Sequence, residues 1–287
     1  MYIVIDGSRY YVEVCGDSLG IVPLVLLHGF TGDSTTWAPF HKCWRKSTKL
    51  IIPDIIGHGK TESPEALKRY QMDAAASDLN TILDHMGIEQ VDLLGYSMGG
   101  RLALTFALLY PGRVRKLILE STSPGLATED EKQHRRMKDA ELANFIKEKG
   151  IIAFVDFWEE IPLFSTMKFL PRETQEKIRK QRLKNSPIGL ANSLLGMGTG
   201  SQPSWWSKLA ELTCEVLLLT GSEDHKFCAT AKRMMKELKN SSWVVMEGSG
   251  HAIHVEEPEK FGTIVSDFLS NVNKGGDNID SRMDCRT

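Results

Sequence analysis

The chain has 287 residues, 41% of them hydrophobic and 25% charged, and its formal net charge is −2. This length and apolar fraction suffice for a full hydrophobic core, while the small net charge gives no field that favours nucleic acid or an anionic membrane surface. The amino terminus lacks the basic-then-apolar layout of a signal peptide, and no apolar run approaches the roughly 20 residues of a membrane span, so we expect a cytoplasmic protein with neither kind of partner.

Short β-rich segments alternate with helical patterns along the chain. The first two, YIVID and YYVEV, predict a hairpin that turns at Gly7 and Ser8. Six further apolar runs predict strands covered on both faces: PLVLLHG, KLIIPDI, VDLLGYS, KLILES, EVLLLTG and SWVVMEG. Helical patterns occupy 73–86, 98–109, 229–238 and 258–270. This alternation predicts a doubly wound, mostly parallel sheet.

The segment 124–206 interrupts the alternation. It has a charged helical pattern with aromatic residues but no convincing strand. Because so long a connection is rarely a bare loop, we expect a helical insertion over the carboxyl edge of the sheet, where α/β proteins bind ligands. The predicted division is a core of 1–123 and 207–271, a helical lid of 124–206 and a disordered polar tail of 272–287.

A serine lies at a predicted junction of strand and helix. Gly95-Tyr96-Ser97-Met98-Gly99 fits the pattern G-x-S-x-G, which exposes a nucleophilic serine in this context. The glycines fit this role because the serine needs a strained backbone and the closely approaching strand and helix leave no space for side chains. The start of the helix also brings free N–H groups near the hydroxyl. The pattern alone is common by chance, so the assignment depends on partners.

Two such partners follow in the chain. Asp224 lies just beyond the predicted strand EVLLLTG, and His251 lies on the loop before the last helix. The order Ser97, Asp224, His251 is that of the α/β-hydrolases. His254 is an alternative base, although the glycine directly before His251 favours the latter. The rival acids, which the position of Asp224 disfavours, are Glu120 and Glu223.

The turn LLHGFTGD follows the third predicted strand. The backbone N–H of Phe30 in this turn can pair with that of Met98 to form an oxyanion hole. His28 precedes the turn and is expected to organise the loop by hydrogen bonding. Asp54 and His58, in PDIIGHGKTES, are likewise expected to fix a loop rather than to catalyse.

Arg101 lies four residues after the serine, on the same face of the predicted helix. A buried guanidinium is costly unless a carboxylate or a ligand anion meets it. Spacing alone favours a salt bridge to a core acid such as Glu120 over an anion-binding role.

Together the motifs resemble those of the α/β-hydrolases over nearly the whole chain. This resemblance implies a mostly parallel eight-stranded sheet flanked by helices, with the insertion as a lid. Segments of core and lid resemble the 2-succinyl-6-hydroxy-2,4-cyclohexadiene-1-carboxylate (SHCHC) synthases, which are lyases of menaquinone biosynthesis. These segments are GYSMGGR, ESTSPGL, HRRMKDAELANF, FWEEIPLF, RLKNSPIGLANSLLGMGTGSQPSWW and GSEDHKF. The likeness is specific because lid motifs usually diverge between families of this fold.

The resemblance implies a small-molecule tricarboxylate substrate and assigns its binding to seven positions: Tyr96, Arg101, Arg135, Trp158, Arg182, Lys226 and Phe227. The three arginines suit carboxylates because a guanidinium binds them bidentately. Alignment favours Arg135 over the adjacent Arg136, and Lys226 and Phe227 are the less firmly matched positions.

The resemblance also implies the reaction, an elimination of pyruvate from 2-succinyl-5-enolpyruvyl-6-hydroxy-3-cyclohexene-1-carboxylate. His251, oriented by Asp224, would remove the proton of Ser97, whose oxygen then takes the proton at ring C2. Neither a metal nor an organic cofactor is expected, and the scattered cysteines lack metal-ligand spacing. The oligomeric state has no signature, and a monomer is the working expectation.

Two other functions compete with this one. A serine carboxylesterase or C–C hydrolase of small organic acids would use the same three residues but acylate Ser97. A binding module on an inactive hydrolase fold is disfavoured by the intact set of three. A dehalogenase is excluded because it needs a carboxylate in place of Ser97.

Overall fold

The computed structural model describes residues 1–16 and 22–270, so the predicted tail 272–287 lies outside the described residues. Their eight strands are Tyr2–Ile5 (β1), Ser8–Cys15 (β2), Leu24–Leu27 (β3), Leu50–Pro53 (β4), Val91–Tyr96 (β5), Val114–Glu120 (β6), Glu215–Gly221 (β7) and Ser241–Met246 (β8). They form one sheet in the order β1-β2-β4-β3-β5-β6-β7-β8. β2 is antiparallel to β1 and β4, and the other neighbours are parallel. The predicted mostly parallel, eight-stranded sheet is confirmed.

The α-helices of the described residues are Ala38–Trp44 (α1), Met72–His85 (α2), Met98–Leu109 (α3), Glu129–Glu160 (α4), Arg172–Arg182 (α5), Pro187–Met197 (α6), His225–Glu237 (α7), Ile253–Glu256 (α8) and Pro258–Ser270 (α9). The bounds of α3 and α9 are as predicted, and those of α2 differ by one residue. α7 begins earlier than predicted because Asp224 caps it by accepting a hydrogen bond from the Phe227 N–H. No described helix is long and apolar enough to span a membrane.

Alternate residues of the central strands face two separate hydrophobic clusters. Val25 and Leu27 on β3 pack with side chains of α2 and α3, whereas Leu24 and Leu26 pack with side chains of α1 and α9. Because successive strand residues point to opposite faces, the two clusters are the two covered faces of the sheet. This explains the continuous apolar runs in the sequence.

The parallel register brings several strand ends to one edge of the sheet. Leu27 of β3 pairs with Gly95 of β5, and Tyr96 pairs with Glu120 at the end of β6. Glu120 in turn pairs with Leu219 near the end of β7. The segments that follow β3, β5, β6 and β7 therefore meet at the carboxyl edge, as in other α/β proteins that bind ligands there.

The described structure between β6 and β7 contains helices and turns but no strand, as expected for the insertion. α4 begins with a capping box in which Thr128 and Glu131 exchange hydrogen bonds, and it is interrupted at Gly150, whose φ is +78°. Buried side chains of α4 and α6, among them Ile146 and Leu190, form a separate small core. The insertion thus has its own packing, while its exact division from the core at 124 and 206 remains a prediction.

The turn from β5 into α3 has a strained backbone. Ser97 has φ +50° and ψ −105°, a region that residues other than glycine seldom adopt. A Cβ at Gly95 would lie 2.5 Å from the carbonyl carbon of Gly99 and 2.6 Å from the Cα of Gly100. A Cβ at Gly99 would collide with the carbonyl group of Leu27. The predicted lack of space for side chains at 95 and 99 is confirmed.

We expect Gly95→Ala to destabilise the fold, because β5 and α3 must separate to accommodate the methyl group. The free energy of unfolding should fall by about 1–3 kcal/mol, measured by chemical denaturation. Gly112→Ala is the control, since a Cβ there would meet no atom within 4 Å. Equal losses in the two variants would contradict the close approach of strand and helix.

Candidate active site

Ser97, His251 and Asp224 form a chain of hydrogen bonds at the carboxyl edge. His251 Nε2 lies 3.0 Å from Ser97 Oγ, and His251 Nδ1 lies 2.6 Å from Asp224 Oδ2. His251 and Asp224 are both buried, which limits competition from water for these bonds. The arrangement is that of a nucleophile or base, an imidazole that removes its proton and a carboxylate that orients the imidazole.

Local structure fixes each member of this chain. The backbone N–H of Ser97 donates to the carbonyl of Glu120 at 2.9 Å, which ties the strained turn to β6. Asp224 accepts a long hydrogen bond of 3.4 Å from the Phe227 N–H through Oδ1 and so presents Oδ2 to the histidine. The ring of Phe227 packs against the His251 ring with a centroid distance of 4.7 Å. The three groups are therefore held by parts of the fold that do not depend on a ligand.

The alternative base and acid form a pair of their own. Glu120 is fully buried, and both of its carboxylate oxygens lie 2.9 Å from His254 Nδ1. The His254 backbone N–H also donates to Glu120, at 3.1 Å. The His254 ring packs against Tyr96 at 4.5 Å. This pair supports the floor of the site and leaves His251 and Asp224 as the partners of Ser97.

The loops beside the serine are fixed as the sequence predicts. His28 Nδ1 lies 2.9 Å from the carbonyl of Gly29, and its Nε2 accepts a hydrogen bond of 3.0 Å from the Ile55 N–H. Asp54 accepts hydrogen bonds from two backbone N–H groups, at 2.6 and 2.7 Å. Burial lowers the pKa of His58 to about 3, so its ring is neutral at ordinary pH. The predicted loop-fixing roles are confirmed.

Two backbone N–H groups lie where the oxyanion hole is predicted. Met98 is the first residue of α3, so its N–H has no partner within the helix. Among the described residues, neither this N–H nor that of Phe30 donates a hydrogen bond to the protein. Both residues line the same cavity as Ser97, so the prediction that their N–H groups form an oxyanion hole is compatible with the structure.

Ser97 and His251 open into a cavity of about 800 Å³ between the insertion and the core. Its apolar lining includes Phe30, Tyr96, Leu142, Trp158 and Phe164. Besides His251 and Tyr96, its ionisable lining has five basic side chains and three acidic ones, namely Arg101, Arg135, Lys138, Lys226 and Arg233 against Glu131, Asp139 and Glu141. The volume suits a small organic molecule, and the excess of cations favours an anionic one.

The Arg101 guanidinium enters this cavity without a carboxylate partner among the described residues. Its Nη1 donates to the Met197 carbonyl and to Gln202 Oε1, both at 2.5 Å. The prediction of a salt bridge between Arg101 and Glu120 is wrong, because the Glu120 carboxylate binds His254 instead. Loss of solvent, and then repulsion from Arg135, lowers the pKa of Arg101 to about 10, which leaves it charged at neutral pH.

Arg135 and Arg136 point to different places. Arg135 lines the cavity and pairs with the buried Asp139 at 2.8 Å, one helical turn along α4. Arg136 instead pairs with Glu129 at 2.5 Å and donates to the Gly200 carbonyl. The structure therefore places Arg135 at the cavity and Arg136 outside it, in line with the alignment.

Arg182 is not brought into the catalytic cavity. It lies 5.0 Å from the ring of Phe164 and 3.5 Å from Glu159, with only 6% of its surface exposed. It lines a second cavity of about 640 Å³, and Phe164 and Tyr96 line both cavities. The structure thus does not bring Arg182 together with Arg101 and Arg135, because Arg182 contacts Glu159 and the Phe164 ring instead.

The other predicted binding residues, Tyr96, Trp158, Lys226 and Phe227, all line the catalytic cavity. Burial raises the pKa of Tyr96 well above its usual range, so the phenol stays neutral. Sequence reasoning missed Lys138, Gln202 and Arg233. Arg233 stacks over Trp206 at 3.8 Å, and Gln202 holds Arg101. Lys138 and Arg233 line the cavity, whereas Gln202 acts through Arg101, and no spacing identifies them because only the folded chain brings these segments together.

Comparison with known proteins gives the family. Residues 22–258 match the α/β-hydrolase fold family. A Bacillus subtilis (strain 168) protein, provisionally named SHCHC synthase, is 47% identical over 94% of this chain and 97% of its own. The SHCHC synthase of Photorhabdus laumondii is 32% identical over 88% of this chain and 86% of its own. The structure of MenH from S. aureus superposes with a TM-score of 0.86 at 37% identity, covering 91% and 97% of the two chains.

The Glu120–His254 pair should contribute more to stability than Asp224 does. We expect Glu120→Ala to lower the free energy of unfolding by about 3 kcal/mol, since it leaves a cavity and unpaired buried donors. Asp224→Ala weakens a helix cap and leaves one buried donor, His251 Nδ1, without its partner, so it should cost less, about 2 kcal/mol. Thermal and chemical denaturation measure both. A larger loss in Asp224→Ala would reverse the assignment of the structural and catalytic pairs.

Proposed function

Because the chain belongs to the SHCHC synthases, a family on the α/β-hydrolase fold, we propose that it eliminates pyruvate from 2-succinyl-5-enolpyruvyl-6-hydroxy-3-cyclohexene-1-carboxylate. The product is SHCHC, and the enzyme is a carbon–oxygen lyase on a hydrolase scaffold. The pathway it serves is menaquinone biosynthesis. We also propose that the protein is cytoplasmic and monomeric.

One observation carries the proposal beyond the family. The charged guanidinium of Arg101 faces the cavity of Ser97, and in the part of the chain that the structure describes it donates only to a carbonyl and an amide, with Asp139 as a weaker electrostatic neighbour. Neutral dipoles orient a cation without cancelling its charge, so the guanidinium retains its attraction for an anion. A substrate with three carboxylates supplies that anion.

Ser97 is the proposed base at the reacting carbon. His251 Nε2 is 3.0 Å from Ser97 Oγ and takes its proton, while Asp224 stabilises the imidazolium that forms. The serine oxygen then removes the proton at ring C2, next to the succinyl ketone. Electrons move onto the ketone oxygen to give an enolate, and no covalent bond forms between serine and substrate.

The N–H groups of Phe30 and Met98 are the proposed donors to the enolate oxygen. Each such donor is worth on the order of 3 kcal/mol in the transition state. When the enolate collapses, the ring C5–O bond breaks and its electron pair leaves on the enolpyruvyl oxygen. In the ring a C2=C3 bond forms and the C3=C4 electron pair moves to C4=C5. The leaving oxygen takes the proton held by His251, while Ser97 keeps the proton from C2, so both side chains return to their neutral forms. The enol released becomes pyruvate. The reaction balances with the chain's own groups.

The carboxylates of the substrate require several cations. Arg101, Arg135 and Lys226 already line the cavity and are the proposed partners. Arg182 lies beyond Phe164 and reaches the substrate only if that ring moves. We propose that the insertion, 124–206, acts as a lid whose closure makes this movement.

A carboxylesterase remains the competing function because it uses the same three residues. It differs in chemistry, since an esterase forms an acyl bond to Ser97. Incubating the purified protein with the enolpyruvyl substrate and coupling pyruvate to lactate dehydrogenase tests the proposal directly. A burst with p-nitrophenyl acetate, with no pyruvate released from the enolpyruvyl substrate, would support the esterase.

We expect Ser97→Ala and Asp224→Asn each to lower kcat for pyruvate release by about 10⁴-fold, because one removes the base and the other misorients the imidazole. Glu223→Gln is the matched control beside Asp224 and should leave kcat unchanged, since Glu223 is exposed. Circular dichroism establishes that the variants fold. Normal turnover in Ser97→Ala would remove the serine from the mechanism.

We expect Arg101→Ala to lower kcat/KM by about 100-fold or more, while the melting temperature changes little, because the partner of Arg101 is the substrate. Arg136→Ala is the control, as its guanidinium pairs with Glu129 on the surface. Loss of stability with retained activity would instead give Arg101 a structural role.

We also expect that raising the salt concentration raises KM in the parent enzyme, because salt screens the cations of the cavity.

A further inference from the structure

We propose that Glu13, Cys15 and His41 form a binding site for a divalent transition-metal ion, with Zn²⁺ as the best match. Glu13 and Cys15 lie on one face of β2, and His41 comes from α1. Glu13 Oε1, Cys15 Sγ and His41 Nδ1 all lie within 4.8 Å of one another. Carboxylate, thiolate and imidazole are the three ligand types that zinc binds.

The His41 and Glu13 atoms are too far apart for a hydrogen bond, and the two Cys15 contacts are among the longest that sulfur makes. All three distances are close to those between the ligands of a shared metal ion. His41 Nδ1 lies 3.7 Å from Glu13 Oε1, and Cys15 Sγ lies 3.8 Å from both atoms. An N–H···O hydrogen bond is normally about 2.9 Å. Tetrahedral zinc at its usual bond lengths separates such ligand atoms by about 3.4–3.6 Å. A contraction of a few tenths of an ångström would therefore complete three bonds.

The proposed metal site lies at the opposite edge of the sheet from Ser97, His251 and Asp224. Cys15 pairs with Leu50, the first residue of β4, so the cluster lies at the amino edge of the parallel strands. Ser97 and its partners lie at the carboxyl edge. The side chains of His41 and Glu13 are 20% and 27% exposed, which leaves solvent access for the ion and for a water as fourth ligand.

The charges around the cluster suit a cation. Glu13 supplies a carboxylate, and Cys15 supplies a thiol that must lose its proton to bind a metal ion. Binding of the ion transfers that proton to solvent, and the resulting thiolate and carboxylate balance the two positive charges. Affinity should accordingly increase with pH.

Cobalt titration tests the site in the full-length protein after removal of metal with EDTA under a reductant. We expect one Co²⁺ per chain, with a thiolate-to-cobalt charge-transfer band and the intense visible bands of a tetrahedral site, both lost when Zn²⁺ is added. Cys15→Ser should abolish the charge-transfer band, and His41→Gln should weaken binding by about 100-fold or more, since even outer-shell changes cost 10–100-fold.

Two variants serve as controls. Cys228→Ser removes a free, partly exposed thiol on α7, and His85→Gln removes an exposed histidine at the end of α2. Both should bind Co²⁺ as the parent does. Zn²⁺ should raise the melting temperature of the parent and of these controls, but not that of His41→Gln. Absence of the charge-transfer band in the parent, or its loss in Cys228→Ser, would overturn the proposal.

Discussion

The close approach of β5 and α3 is the constraint on which the rest of the site depends. It allows no side chain at Gly95 or Gly99, and it forces Ser97 into a conformation with positive φ. The strain is held by the regular elements on either side, and its result is a hydroxyl at the apex of the turn. The Met98 N–H faces the same point because it opens α3, and Arg101 lies one helical turn further on. The proposed base, oxyanion donor and anion-binding cation thus follow from one turn.

The insertion supplies the hydrogen-bond acceptors that hold Arg101. Arg101 belongs to the core, yet both acceptors of its hydrogen bonds, the Met197 carbonyl and Gln202 Oε1, belong to the insertion. A carboxylate in either place would have stabilised the guanidinium more strongly and left nothing for a ligand. Arg182 shows that alternative, since Glu159 and Phe164 take up its charge. Arg101 therefore lies at the cavity without a carboxylate partner among the described residues, whereas Arg182 lies behind the Phe164 ring and pairs with Glu159.

The sequence predicted those parts of the site that local patterns determine. The elbow at Ser97 and the loops carrying Asp224 and His251 follow from short motifs at strand ends, and the mostly parallel sheet follows from the alternation of strand and helix patterns. The partner of Glu120 could not be predicted, because spacing along α3 suggested Arg101, while the fold brings His254 closer. The location of Arg182 depends on how the insertion packs, and no local pattern encodes that packing. Asp224 as a helix cap was also missed, although an aspartate before a helical pattern is an ordinary capping signal.

Hydrolysis and elimination share the chain Ser97–His251–Asp224, so the hydrogen bonds alone cannot choose between them. The choice is made by what the cavity holds against the serine oxygen. If cations fix a polyanion so that an acidic C–H, rather than a carbonyl carbon, meets the oxygen, proton transfer precedes any attack. The oxyanion donors then stabilise an enolate. Its negative charge is on an oxygen, as in a tetrahedral adduct, but that oxygen is bonded to a planar carbon instead of a tetrahedral one. We therefore infer that the excess of basic over acidic groups around the cavity favours elimination over hydrolysis on this scaffold. The proposed role of Arg101 is to position the substrate, which is separate from the proton transfer along Ser97, His251 and Asp224.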